Sequence, residues 1–168
     1  MNNYLKTFNN DTRQGIFFGI NSGVLTTVGV IAGISQTTTN PMFVVVSVLS
    51  LAISDCVGEA YGMYLSKKAE KISDNNFGPV VAMISMFIAK FLTVVCFLIP
   101  LLFAWNLKYY KNLIWPVLYS AFMLIIIDIK LSKMRGEDVK KYLASHAVLL
   151  FVVVSTTKFI GQILSKLN

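Results

Sequence analysis

The chain has 168 residues, of which 55% are hydrophobic and only 14% charged, with a mean hydropathy of +0.66. A soluble domain of this length carries more charge, so the composition predicts an all-α integral membrane protein instead. The net charge of +7 could suit nucleic acid, but in membrane proteins lysine and arginine collect in cytoplasmic loops. We therefore expect a multi-pass protein whose partner is the lipid bilayer and not nucleic acid.

Five apolar segments are each near the roughly 20 residues that a membrane-spanning helix needs. None shows the period-2 pattern of a barrel strand, and the connections are short. Pro100 predicts a kink towards the end of the third segment. We expect a single transmembrane domain over residues 1–168, with helices at 15–34, 41–65, 79–105, 113–131 and 142–164.

Lysine and arginine are divided unevenly between the two ends of these segments, ten against three. The larger set is Lys6, Arg13, Lys67, Lys68, Lys71, Lys130, Lys133, Arg135, Lys140 and Lys141, and the smaller is Lys108, Lys111 and Lys166. Since basic residues mark the cytoplasmic side, this bias predicts a cytoplasmic N-terminus and a C-terminus across the membrane.

The first segment carries glycines at four-residue spacing, Gly15, Gly19 and Gly23, and the second repeats the theme with Gly58 and Gly62. Small residues at this spacing allow two helices to approach closely. Two interpretations follow: tight helix packing alone, or close packing that brings polar groups of the first two helices together.

The second segment contains two carboxylates, Asp55 and Glu59, one helical turn apart and therefore on one face. Carboxylates are costly in hydrocarbon and usually functional there. They lie roughly 15 Å and 9 Å from the predicted cytoplasmic end, and Thr26 and Ser22 of the first helix lie at similar depths, about 17 Å and 11 Å. With the amide of Asn21, these oxygens suit a divalent cation. We predict a metal site made of Asp55, Glu59, Ser22, Asn21 and Thr26.

Lys90 lies in the third segment at the depth of Asp55, roughly 16 Å from the cytoplasmic end. A lysine at this depth should be paired or should snorkel to the surface. Lys90 is either a structural partner that neutralises Asp55 or a displaceable counter-charge that occupies the site when no cation is bound. His146 is interpreted as an interfacial residue, and Cys56 as a small core residue.

Soluble-enzyme motifs such as HExxH, GxSxG, the P-loop and GxGxxG are absent from the sequence, so we expect no enzyme. One histidine and two cysteines in apolar segments are too few for a zinc or haem site. We expect no tightly bound cofactor.

Four stretches resemble the vacuolar iron transporter family, which includes nodulin-like members. The first helix, FGINSGVLTTVGVIAGI from Phe18, resembles that family's FGxNDGLVTTxGVVAG, and AISDCVGEAYGMYLSKKAE from Ala52 is similar to AxSMxxGEYxSxxSE. FIAKFLTVVCFLIPLL from Phe87 and FIGQIL from Phe159 resemble the family's FIAxxxxGxIPLLP and YxIGxLL. The resemblance covers nearly the whole chain in the right order.

The resemblance implies a five-helix protomer that works as a homodimer. It implies export of Fe²⁺, or of Mn²⁺, from the cytoplasm by proton exchange, along a path lined by the first and second helices at the dimer interface.

The chain departs from the family at most of the metal-binding positions. The family's first-helix aspartate falls on Ser22, its methionine ligand on Asp55, and two further acids on Ser47 and Val148. Glu59 stands on the family's acid in a Gly-Glu pair. By this resemblance the chain would be a short member, since residues 66–78 cannot hold the glutamate-rich cytoplasmic metal-binding insertion of longer members. Asp55 would then replace the lost aspartate, and its hard carboxylate would favour Mn²⁺ over Fe²⁺.

Three functions remain open at this point. The first is a divalent-metal transporter that uses Asp55 and Glu59, and the second is a transport-inactive membrane scaffold in which Lys90 neutralises Asp55. The third is a transporter of another cation or of a small solute.

Overall fold

The computed structural model describes residues 2–38, 40–70, 77–106 and 113–166; the side chains of residues 2–8 and 104–106 lie outside this description. The loop residues Lys71, Lys108 and Lys111 and the Lys6 side chain, which entered the orientation argument, therefore fall outside the described part. The described residues form six helices: α1 (Asn2–Thr37), α2 (Pro41–Ala69), α3 (Phe77–Cys96), α4 (Leu98–Asn106), α5 (Ile114–Arg135) and α6 (Val139–Leu164).

Five stretches of the described helices are long and apolar enough to cross a membrane, which confirms the expected all-helical architecture. They are Asn9–Thr37, Pro41–Ala69, Phe77–Phe103, Ile114–Arg135 and Val139–Leu164. Large apolar side chains such as Phe43, Ile53 and Phe151 are exposed on the outside of the bundle. A surface of this kind is compatible with a multi-pass integral membrane protein.

The third span is interrupted where the sequence predicts a kink. Proline has no N–H, so Pro100 cannot donate to the carbonyl of Cys96, one turn earlier. The helix breaks at Phe97, whose N–H bonds the Val94 carbonyl at 3.2 Å in a tighter turn, and α4 continues the span from Leu98.

The first helix begins well before the predicted residue 15, because its polar start is held by tertiary contacts. Asp11 is buried, and its carboxylate forms an ion pair with Lys67 at the end of α2, at 3.0 Å. The same carboxylate lies against Gly78 at the start of α3. We call this end of the bundle, where Arg13, Lys67 and Arg135 lie, the basic end.

A tight turn joins α5 to α6 at the basic end. Gly136 ends α5 in the left-handed conformation, with φ of 68°, and its N–H bonds the Ser132 carbonyl. Asp138 caps α6 by accepting from the N–H of Lys140 at 3.0 Å. The two helices therefore form an antiparallel hairpin.

The core is centred on α1, which contacts α2, α3, α5 and α6 and is the most deeply buried of the spans. Val24, Val28 and Ile31 of α1 are fully buried. They pack in one cluster with apolar residues of the surrounding helices, among them Val48 of α2 and Val94 of α3.

The glycines of α1 contact α3 and α6, not α2 as one interpretation of the sequence expected. Gly15 and Gly19 lie against the α3 backbone, and Gly33 lies against Gly161 of α6. By contrast, no described atom lies within 4 Å of a Cβ built on Gly58 or Gly62 of α2. The glycines of α1 therefore lie at helix contacts inside the protomer, whereas those of α2 lie on its outer surface.

A substitution at Gly19 tests the close α1–α3 approach. An added Cβ would lie 2.5 Å from the carbonyl oxygen of Met86 and 3.0 Å from the N atom of Lys90. Because backbone atoms cannot step aside, we expect Gly19→Ala to lower the free energy of unfolding by about 1–3 kcal/mol. Gly62→Ala, on the open face, should be neutral or slightly stabilising. Thermal unfolding in detergent, followed by circular dichroism, compares the two; equal Tm values would contradict the tight contact.

Candidate functional site

The two carboxylates of α2 lie on the flank of the bundle, partly covered by its neighbours. The Asp55 side chain is 26% exposed and that of Glu59 30%. On the same helix, Ala52, Cys56 and Ala60 point into the core. The helix therefore turns its apolar stripe inwards and holds the carboxylates at the border between the core and the outer surface.

Lys90 of α3 lies beneath these carboxylates and is fully buried. Its ammonium group forms ion pairs with Asp55 Oδ2 and with Glu59 Oε2, the latter at 2.8 Å. The contact with Asp55 is an ion pair without the angular geometry of a hydrogen bond. The Lys90–Asp55 pair that the matched depths predicted is thus present, and Glu59 shares the same ammonium.

A serine of α1 completes the cluster. The Lys90 ammonium donates to Ser22 Oγ at 3.0 Å, and Ser22 Oγ in turn donates to Glu59 Oε2 at 2.6 Å. The ammonium therefore has one hydrogen-bond acceptor, Ser22 Oγ, and two ion-pair partners, the carboxylates of Asp55 and Glu59. We call these four residues, Ser22, Asp55, Glu59 and Lys90, the lysine cluster.

Charge in the lysine cluster does not balance when all three ionisable groups are charged. Two carboxylates face one ammonium, which leaves one formal negative charge at mid-span. Burying an unpaired charge is costly, so a further cation beside the two carboxylates would stabilise the cluster. The partial exposure of both carboxylates provides a side from which such a charge could approach.

A groove extends from this cluster towards the end of the bundle opposite the basic end. It has a volume of about 640 Å³ and runs between α1, α2 and α6. Asp55 and Thr26 line one part of it, while Thr37 and Leu164, near the ends of α1 and α6, line another. Asp55 therefore has an opening in that direction, with mostly apolar walls.

The other predicted ligands lie around the cluster in different ways. Thr26 lines the groove, but its hydroxyl donates to the Ser22 carbonyl of its own helix at 2.8 Å. Asn21 lines a separate cavity at the basic end together with His146, and its Oδ1 has no hydrogen-bond partner among the described residues. Cys56 is in the apolar core, as expected, and both cysteines are free.

The structure contains a second pair of ionisable side chains within the spans, which the sequence analysis did not predict. Asp128 of α5 is fully buried, and its Oδ1 lies 2.6 Å from His146 Nδ1 of α6. The side chain of His146, which the sequence analysis interprets as interfacial, is 14% exposed and pairs with this buried carboxylate. The available signal was Asp128 itself, a carboxylate inside the run IIIDIK.

Within the described residues, no group of three or more His, Cys, Asp or Glu side chains converges to hold a metal ion. The lysine cluster offers two carboxylates and one hydroxyl. A cation bound there would need further oxygen ligands from water or from a second copy of the chain.

Comparisons of the chain with protein-family models, with curated proteins and with solved structures found no match. The fold and the site together define a helical protein with five candidate membrane spans and a charged cluster at mid-span.

Removal of the ammonium tests how far the protomer depends on the lysine cluster. Lys90→Met leaves two carboxylates side by side without a counter-charge, so we expect a loss of about 3 kcal/mol or more in the free energy of unfolding. The triple change Lys90→Met, Asp55→Asn, Glu59→Gln removes all three charges and should recover much of that loss. Unfolding in mixed micelles measures both variants; a triple variant as unstable as Lys90→Met would show that packing, and not charge, is responsible.

Proposed function

We propose that this chain is an integral membrane transporter of divalent metal ions, Fe²⁺ or Mn²⁺, and that the lysine cluster is the transit site. The observation that carries the proposal is the pairing of a fully buried lysine with two partly exposed carboxylates. The resemblance of the first two helices to the vacuolar iron transporter family supports export from the cytoplasm by proton exchange.

In this proposal Lys90 is a displaceable counter-charge. A divalent ion that binds Asp55 and Glu59 competes directly with the ammonium, since both require the same oxygens. Binding then moves Lys90 away from at least one carboxylate, and release lets it return. Carboxylate and hydroxyl oxygens are hard ligands, which favour Mn²⁺ and Fe²⁺ over softer ions.

A homodimer would complete the site. The outer face of α2 carries Ser54, Gly58 and Gly62 at four-residue spacing, and space beside both glycines is open. Small residues at this spacing allow close helix–helix approach in membranes. Because Asp55 and Glu59 border this face, a second copy packed against it would cover both carboxylates and bring two lysine clusters near each other.

The alternative is a transport-inactive membrane scaffold that keeps the fold. The ion pairs of Lys90 favour this interpretation, because the ammonium already occupies the oxygens that a metal ion would use. The unbalanced negative charge and the groove that reaches Asp55 favour transport.

Metal flux in proteoliposomes tests transport. We expect Mn²⁺ and Fe²⁺ uptake by the wild-type chain and a fall to the protein-free level for Asp55→Ala and for Glu59→Gln. Asp55→Ala leaves Lys90 paired with Glu59 alone, a neutral pair, so the protomer should remain folded. Glu70→Gln, an exposed carboxylate at the end of the same helix, is the matched control and should retain flux.

Two results would contradict the proposal. Unchanged flux in Asp55→Ala would show that the metal ion does not pass through the lysine cluster. Absence of flux in the wild type, together with no rise in Tm upon addition of divalent ions, would favour the scaffold, because a ligand of the folded state alone must raise its stability.

The dimer surface has its own test. Leucine at both Gly58 and Gly62 fills open space in the protomer and should not lower its Tm, but it blocks close approach of a second α2. We expect the mass in detergent, measured by light scattering, to fall from dimer to monomer. Val46→Leu, exposed on another side of α2, should remain dimeric. A monomeric wild type, or a dimer that persists in the double-leucine variant, would exclude this face.

A further inference from the structure

A cavity of about 840 Å³ opens at the basic end between α1, α5 and α6, away from the lysine cluster. Arg13 of α1 and Arg135 of α5 both line it, so two guanidinium groups from different helices converge on one space. Both arginines are exposed, and no carboxylate in the described chain lies within ion-pair distance of either one.

The polar side chains beside the arginines place no carboxylate in a direct ion pair with either guanidinium group. Tyr142 lies beside Arg135, and its hydroxyl donates to the nearest acid, Glu137, at 2.7 Å. His146 lines the same cavity but is paired with Asp128. The guanidinium fork matches a phosphate group in a bidentate geometry, so the rim of the cavity suits a phosphate ester.

Another part of the cavity wall is apolar. It is formed by Phe17 and Phe18 of α1 and by Ile127, Leu131 and Met134 of α5. Phe18 and Met134 are also about half exposed on the outside of the bundle, so the cavity opens towards the surrounding apolar surface. A free phosphate ion would leave this wall uncovered, whereas the acyl chain of a lipid would cover it.

The positive charge of this cavity makes it unsuitable as part of the proposed metal path. Two guanidinium groups without a directly paired carboxylate repel a divalent cation and attract an anion. Lys133 and Lys140 at the same end do not line the cavity, but they add to the positive field around it. Basic pockets between membrane helices at this level are suited to anionic headgroups.

We propose that this cavity is a binding site for one anionic phospholipid, with its phosphate held by Arg13 and Arg135 and an acyl chain along Phe17, Leu131 and Met134. The site is separate from the lysine cluster and does not depend on metal transport.

Thermal stability of the delipidated protein in detergent tests the site. We expect phosphatidylglycerol to raise Tm in a saturable manner, while phosphatidylcholine with the same acyl chains, and glycerol phosphate without them, leave Tm unchanged. The double variant Arg13→Gln, Arg135→Gln should lose affinity for phosphatidylglycerol by roughly tenfold or more, since both guanidinium groups that would bind the phosphate are removed. The double variant Lys133→Gln, Lys140→Gln removes the same total charge at the same end and should keep the affinity within about twofold.

Three other results of these measurements would each contradict the lipid-site proposal in a different way. An equal rise in Tm with phosphatidylcholine would mean non-selective lipid contact. An equal rise with glycerol phosphate would mean a small-anion site without a lipid chain. Equal losses in the arginine and lysine double variants would mean a diffuse surface field, and any of these results overturns the proposal. Native mass spectrometry with the same lipids counts the bound molecules, and one per protomer is expected.

Discussion

The position of Lys90 constrains three helices at once. A buried ammonium is costly without polar partners, and those of Lys90 come from α1 and α2, while the lysine itself belongs to α3. The glycines of α1 make this possible. Gly19 and Gly23 lie against the α3 backbone on either side of Lys90, so Ser22 between them reaches the ammonium directly. A larger residue at either glycine would push α1 away from α3 and so move the Ser22 hydroxyl away from the Lys90 ammonium.

This constraint also explains why the carboxylates remain at the flank. Asp55 and Glu59 reach inwards to Lys90 from a helix whose apolar stripe is already used by the core. The cluster is therefore satisfied on its inner side and open on its outer side. The excess carboxylate charge lies on the open side, where a cation or a second chain would compensate it.

Most of the correct predictions about the fold and the cluster came from the lengths of the apolar segments and from the depths of single residues within them. The five spans follow from runs of apolar residues, and the Lys90–Asp55 pair follows from equal depth on separate helices. Helix neighbours cannot be obtained in this way, because spacing shows that Gly15, Gly19 and Gly23 share a face but not which helix they meet. Asp128 and His146 were missed although the information was present. Asp128 lies seven residues before Arg135 and His146 seven residues after Val139, so the α5–α6 hairpin sets them at equal depth.

The two openings of the bundle differ in sign because α1 separates them. Asn21 lines the cavity that carries the arginines, whereas the next residue, Ser22, belongs to the lysine cluster, and Thr26 lines the groove that contains Asp55. Neighbouring positions on a helix point about 100° apart, so adjacent residues of α1 reach the arginine cavity on one side and the lysine cluster on the other. Asn21 and Thr26 differ by about 7.5 Å along the helix axis. A cation is attracted to the groove side and repelled from the arginine side, and this asymmetry follows from the side chains alone. An ion that crossed the bundle would therefore approach Asp55 and Glu59 along the α2 flank or the groove, and the arginine cavity would be left to an anionic ligand.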